Sequence, residues 1–154
     1  MKLIPLTQGL SAIVDDADYD RLSKHKWYAH RQHGPVYAER KTTVKGKQIT
    51  IKMHREVMGN FPGVIDHIDG NGINNARSNL RFASTIENAC NRKVMSTNTS
   101  GQKGVYFAKS MGKWRASICK QGKRINLGSF SCFEDAKMAY IKASKIIHGC
   151  FARN

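Results

Sequence analysis

The stretch "VIDHIDGNGINNARSNLRFASTIENACN", Val64 to Asn91, decides the reading of this chain. It opens with an apolar run, "GVIDHI", passes through a Gly/Asn-rich turn, resumes with "NLRFA", and ends on the helical pattern "TIENACNRK". Ser84 and Glu87 stand at the S-x-x-E spacing of a capping box, which fixes the helix start. The spacing predicts a β-β-α unit. Asp66 then ends the first strand and Asn88 lies in the first turns of the helix, so a unit folded back on itself brings their oxygens together. His67 is the neighbour of Asp66, but strand alternation points it elsewhere.

Upstream, residues 1–52 alternate apolar and polar in short runs broken by "TQG", "QHGP" and "VKGK". This predicts a small meandering sheet, with a short helix at "DADYDRLSK" capped by Asp15 or Asp16. "KMHREVMGNFPG" predicts another short helix closed by Gly59 and Pro62. Downstream, "KVMSTNTSGQK" is polar with no apolar periodicity and is expected to be a flexible boundary. After it, "KGVYFAKS", "KWRASICKQ" and "KRINLGSF" predict three strands, followed by a helix from Phe133 to about His148 with Ser131 and Glu134 as a capping box and Gly149 as stop. Trp114, Ala116 and Ile118 share one strand face and must meet that helix. Lys103, Tyr106, Arg115, Ser117, Arg124 and Asn126 are left on the open face, a basic and polar surface.

The fold class is therefore α+β: a small N-terminal sheet and a β-β-α unit, then a three-stranded antiparallel sheet packed on one helix. The expected boundaries are a first domain over 1–92, with the β-β-α unit at about 63–92, a linker over 93–102, and a second domain over 103–154.

Lysine and arginine number 26 against 11 acidic residues, a formal charge of +15. So large an excess points to a polyanionic partner, with nucleic acid ahead of membrane. It is unevenly held: residues 1–92 carry 14 basic and 9 acidic side chains, net +5, and residues 93–154 carry 12 and 2, net +10. No apolar run approaches the roughly 18–20 residues of a membrane span, and the N-terminus lacks a signal-peptide pattern. The reading is a soluble intracellular protein. Cys90, Cys119, Cys132 and Cys150 are widely spaced, which predicts reduced thiols and no structural zinc.

Cutting a phosphodiester needs an activated water, a charge to offset that building on the phosphate, and help for the departing 3′ oxygen. One divalent metal with one general base supplies all three. Magnesium takes oxygen ligands and keeps several waters, so Asp66 and Asn88 suffice on the protein side; manganese is expected to substitute. His67 has an ordinary pKa of about 6.5 and is mostly neutral near pH 7, able to accept a proton. A calcium loop does not fit: counting from Asp69, Asn74 stands where the glycine belongs and Leu80 where the closing glutamate belongs.

The order Asp66-His67, Asn79, Asn88 on strand, turn, strand and helix resembles the ββα-metal site of HNH endonucleases, as in phage homing endonucleases. The resemblance covers about residues 53–92. It implies Asp66 as first metal ligand, His67 as general base, Asn79 as the residue bracing the loop that aims the histidine, and Asn88 as second ligand. The last position is Asn rather than His. Asn91, about one helical turn on, is the rival ligand, while Asn71, Asn74 and Asn75 read as turn residues. His54 faces either this site or the core. Arg55, Arg77, Arg81 and Arg92 are candidates for clamping flanking phosphates or simply solvated; the first three are counted here as DNA-binding.

Residues 99–154 carry a second resemblance. "KGV", "KWRASI", "RINLGSF", "EDAKMAY" and "HGCFARN" resemble the plant ethylene-responsive-factor DNA-binding domain, which lays its sheet in the major groove. Lys103, Gly104 and Arg124 match contacting positions by type; Tyr106, Ala108, Ser117, Cys119 and Asn126 depart from the plant residues, so the fold transfers more safely than the target. Lys103, Tyr106, Arg115 and Arg124 are the expected contacts of this module. Together the resemblances imply a phage-type HNH endonuclease, acting on double-stranded DNA as a monomer in the cytoplasm of an infected bacterial host. The rivals are a sequence-specific DNA-binding protein with a vestigial nuclease site and an RNA-directed protein.

Overall fold

The computed structural model describes residues 1–31 and 34–153. The chain divides into two units, Met1–Thr85 and Ile86–Asn154.

In the first unit, β1 (Lys2–Pro5) and β2 (Ser11–Val14) form an antiparallel hairpin with Ile4 opposite Ala12. A second sheet has the order β3 (Tyr28–Arg31), β4 (Val36–Val44), β5 (Lys47–Lys52), so the single meander expected over residues 1–52 is divided: its last three runs form one sheet and its first two pair separately. Helix α1 (Asp16–Leu22) follows an extended Asp15, but the Asp15 carboxylate does not cap it; it accepts the backbone N–H of Arg77 at 2.8 Å. Helix α2 (Met53–Val57) is short because Gly59 then turns the chain at φ 73°. Ile4, Val14, Leu22, Trp27, Met53 and Val57 make the core, joined by Ile65 and Leu80.

Those last two residues belong to the predicted hairpin, β6 (Val64–His67) and β7 (Leu80–Ala83). Its antiparallel register sets Asp66 opposite Arg81 and His67 opposite Leu80. Ile65 and Leu80 thus pin the hairpin to the core. A turn of 3-10 helix, Arg77–Asn79, leads into β7. Helix α3 (Thr85–Cys90) begins immediately after Ser84.

In the second unit β8 (Val105–Ala108), β9 (Lys113–Lys120) and β10 (Lys123–Phe130) form an antiparallel sheet in the order β10-β9-β8, with α4 (Phe133–His148) against it. Ala116, Ile118, Ala136 and Tyr140 are buried between sheet and helix, with Trp114 packed beside them, as strand alternation requires. The N-cap of α4 is Cys132, not Ser131: Cys132 has the extended backbone a cap needs, and its Sγ accepts the Asp135 N–H at 3.5 Å. Gly149 ends the helix at φ 54°.

The boundary between the two units falls inside α3, and residues 93–102 lie in the second unit. Their polar side chains close backbone turns: Ser100 Oγ donates to the carbonyl of Val105 at 2.7 Å, and Asn98 Nδ2 to that of Gln102 at 3.1 Å. Composition alone reads such residues as a tether. Among the described residues no helix is long and apolar enough to cross a membrane, and the four cysteines are free thiols.

Candidate functional site

Strand β6 ends in two buried polar side chains, Asp66 and His67, each about 5 % exposed. They lie on opposite faces of the strand. Asp66 Oδ2 accepts from Arg81 Nε at 2.8 Å and Nη2 at 2.7 Å, a cross-strand ion pair that follows directly from the register. The His67 ring sits in an aromatic pocket: the Tyr37 ring is 5.8 Å away and the His54 ring 5.0 Å away and perpendicular. His54 therefore faces His67 from α2 and is also packed, so its two readings coincide.

The loop between β6 and β7 is organised by Asp69 and Asn79. Asn79 Oδ1 accepts the Asp69 N–H at 3.1 Å, and its Nδ2 donates to Asp69 Oδ1 at 3.0 Å and to the Asn74 carbonyl at 2.8 Å. Asn71 N–H and Asn74 Nδ2 also donate to the Asp69 carboxylate, both at 2.8 Å. Gly72 runs so close to β4 that a Cβ there would stand 2.4 Å from the Val36 carbonyl oxygen and 2.7 Å from the Tyr37 ring. Glycine is required by that approach.

Asn75 is the residue sequence reasoning missed. It is 1 % exposed, and its N–H donates to the Ile13 carbonyl at 2.8 Å, which ties the loop to β2. Its Nδ2 donates to the Ile73 carbonyl at 3.2 Å, so its Oδ1 is the atom turned to His67 Nε2, 3.4 Å away. An amide oxygen only accepts, so this contact favours the tautomer with the imidazole proton on Nε2, in which Nδ1 is the basic nitrogen of the ring. Within "GNGINNA" nothing distinguishes Asn75 from its turn-forming neighbours except the alanine after it, which is buried too.

Burial lowers the His67 pKa below the usual histidine value, against the opposing effects of the Asn75 contact and the Asp69 and Asp66 charges. His54 is pushed down to about 3 by burial first, then by His67, Lys52 and Arg55. Burial and Asp66 raise the Tyr37 hydroxyl. For Asp69 burial works upward, but the hydrogen bonds from Asn71, Asn74 and Asn79 outweigh it and hold the carboxyl below its ordinary value. Both histidines are thus neutral at pH 7.

Asn88 lies on α3 and is half-buried; Asn91 follows the helix and is buried, and both belong to the second unit. Asp66 and Asn88 offer oxygen donors only, the chemistry a hard cation accepts. Among the described residues no group of three or more His, Cys, Asp or Glu is arranged to hold a metal.

Four expected DNA contacts are occupied within the fold. Arg77 grips Asp18 with Nε to Oδ2 at 2.7 Å and Nη2 to Oδ1 at 2.9 Å. Arg81 is held by Asp66, and Arg55 donates to the carbonyls of Phe61 and Gly63, closing the turn after α2. Lys103 Nζ donates to the carbonyls of Cys90 and Arg153, and burial lowers its pKa. These cations serve local structure because each meets a buried carboxylate or an orphaned carbonyl. Gly104 is likewise structural: at φ 65°, a Cβ would stand 2.2 Å from the Ser117 carbonyl oxygen and 2.3 Å from the Tyr140 ring.

Tyr106, Arg115 and Arg124 remain on the open face of the second unit. Tyr106 pairs with Arg115 across β8 and β9, Ser117 with Asn126 and Cys119 with Arg124 across β9 and β10. Arg115 Nε is buried without a hydrogen-bond partner among the described residues. A guanidinium nitrogen in that state gains from an acceptor brought to the face.

Residues 100–150 match the AP2 domain family. An uncharacterized HNH endonuclease of Acanthamoeba polyphaga mimivirus is 30 % identical over 152 residues, covering 94 % of this chain and 74 % of that protein. Protein 3.8 of Escherichia phage T7 is 42 % identical over 89 residues, 58 % of this chain and 73 % of that protein. No solved structure matches the chain.

Proposed function

The chain belongs to the HNH endonuclease family and contains an AP2 domain, and from this premise we propose that it is a metal-dependent DNA endonuclease directed to duplex DNA by its C-terminal module. The observation that carries the reading is the buried Asp66-His67 pair at the end of β6, with His67 Nε2 against Asn75 Oδ1. Neutral His67 takes the proton of a water at Nδ1. The water oxygen attacks phosphorus, the bond to the 3′ oxygen breaks, and that oxygen takes a proton from a solvent water, leaving a 3′ hydroxyl and a 5′ phosphate, while His67 returns its proton to solvent. Asn79 keeps the loop closed through Asp69 and Asn74, so the His67 ring is not free to swing away from its aim. Asp66 and Asn88 are the proposed ligands of magnesium, for which manganese can stand in. When bound, the cation offsets charge developing on the phosphate and the departing oxygen. Asn91 is the alternative second ligand.

Supercoiled plasmid incubated with magnesium or with EDTA tests this directly. Wild type is expected to nick only with magnesium, and His67→Ala and Asp66→Ala to lose nicking while still retarding DNA in a gel. Wild-type cleavage by His67→Ala would overturn the assignment of the base. The Asp66-Arg81 ion pair favours a second reading, a DNA-binding protein whose metal ligand has been retired. That reading predicts no magnesium-dependent nicking by the wild type.

A further inference from the structure

We propose that the β4–β5 hairpin is a second DNA-contacting element, a two-stranded ribbon that enters a groove of duplex DNA; this rests on the endonuclease reading and adds a contact to its first unit. The hairpin pairs Glu39 with Lys52 at its base and Val44 with Lys47 at its tip. Its turn is Lys45-Gly46, with φ 48° and 75°, the left-handed pair that matches the twist of a tight hairpin. Ala38 and Met53 anchor the two strands in the core. Beyond Arg40 no residue of either strand is buried until Met53. Roughly 13 Å of ribbon therefore extends past the core, taking about 3.3 Å per residue, and it gains little stability there, since an isolated two-stranded hairpin is marginal in water.

Its chemistry indicates what the arm meets. From Arg40 to Lys52 there are five basic residues and no acidic one. Arg40 and Lys52 are held at the base by Glu56 and Glu39. Lys41, Lys45 and Lys47 are exposed and have no ion pair among the described residues. The register places Lys41 opposite Thr50 and Thr43 opposite Gln48, which gives one entirely polar face. Lysine, threonine and glutamine are side-chain types that read base edges in the major groove, and that groove admits a two-stranded ribbon. Lysine on an edge strand also discourages pairing with another chain. Beyond Glu39 strand β4 has lost its β3 partner, so edge protection accounts for Lys41 and Lys47, but not for Lys45 in the turn or for the absence of any acidic side chain along the arm.

The full-length chain carrying K41A, K45A and K47A tests the proposal. Binding to a short mixed-sequence duplex is measured in EDTA across a salt series, so that cleavage does not enter. Each phosphate contact contributes about 0.9 to the slope of log affinity against log salt, so the triple variant is expected to flatten the slope by about 2–3 and to bind about a hundredfold more weakly near 0.15 M salt. Thr43→Val with Gln48→Leu keeps the charge; it is expected to keep the slope and to alter which duplexes are selected from a random pool. An unchanged slope and affinity in the triple variant would overturn the ribbon. So would a triple variant that retains its duplex affinity but loses self-association, or affinity for RNA, that the wild type shows, because the arm would then serve another partner. The nuclease reading fails separately: wild type that binds duplex but never nicks with magnesium leaves the salt result standing.

Discussion

The buried histidine beside the proposed base makes the first unit acid-labile in a way that can be calculated. His54 is 6 % exposed, wedged edge-on against Tyr37 at 5.6 Å and His67 at 5.0 Å, and its Nδ1 has no hydrogen-bond partner among the described residues. Its pKa is about 3 in the folded chain, against about 6.5 unfolded. Between those values the unfolded chain binds a proton that the folded chain refuses. The stability from keeping His54 neutral is therefore whole above about pH 6.5 and is lost as pH falls toward 3, at about 1.4 kcal/mol per pH unit. From pH 7 to pH 5 the loss is about 2 kcal/mol, a large share of the 5–15 kcal/mol typical of a domain. Phenylalanine keeps the ring and removes the titration, so His54→Phe should lose about 2 kcal/mol less over that interval. His67 shifts in the same direction and leaves a residual dependence in the variant, whereas Asp18 and Asp69 are lowered from 3.8 and act only in stronger acid. Trp27 is buried in the same core and bonded to the Leu22 carbonyl, so its fluorescence in a Trp114→Phe background follows this unit through urea unfolding at both pH values. Equal midpoint shifts in the wild type and His54→Phe would refute the reasoning.

Arg77→Ala should destabilise the first unit by roughly 1–3 kcal/mol, because it strips two charge-assisted hydrogen bonds from a buried carboxylate that keeps only Arg21; the salt slope of DNA binding should not move, and a flattened slope would restore Arg77 as a phosphate contact. Asn75→Ala should leave DNA binding intact and lower kcat by about 10–100-fold as the imidazole loses its orienting partner. Nitrogen-15 NMR of the ring should show the Nε2–H tautomer of His67 losing its dominance, and an unchanged tautomer with unchanged kcat would remove Asn75 from the site.

What the sequence made legible was local. Apolar runs and turn residues located β6, the Asn-rich loop and β7 within a few residues, because period and turn chemistry are properties of neighbours. The sheet and helix of the second unit followed from alternation in "KWRASI" and from helical spacing after Phe133. What stayed hidden was pairing across the chain. Arg77 lies 59 residues from Asp18, and nothing in "NNARSN" announces a carboxylate waiting in α1. Arg81 could be placed opposite Asp66 only once the hairpin register was known. Asn75 looked like its neighbours because its burial is imposed by β2, through the carbonyl of Ile13. Ser131 appeared to be a cap because the motif tolerates a one-residue shift that backbone geometry resolves in favour of Cys132.

These pairings change how the +15 charge acts. In the first unit Arg21, Arg40, Arg77 and Arg81 each hold a carboxylate, and Arg55 holds two carbonyls. That is the chemistry of a planar guanidinium, whose fork matches such acceptors. Apart from Arg31, the exposed cations of the same unit that hold no carboxylate are mostly lysines, compact and well-hydrated ions that attract a phosphate backbone without fixing its geometry. The second unit is arranged differently: its lysine nearest the first strand, Lys103, is tied to backbone, and Arg115 and Arg124 stand on the open sheet. On the proposed reading, salt-dependent attraction comes from exposed lysines of both units, the three of the β4–β5 arm and those of the second unit, which holds net +10 of the +15, while Arg115 and Arg124 are the proposed base readers of the AP2 sheet. Raising ionic strength should then weaken the lysine contacts of both units first, so that binding becomes more selective as it becomes less tight.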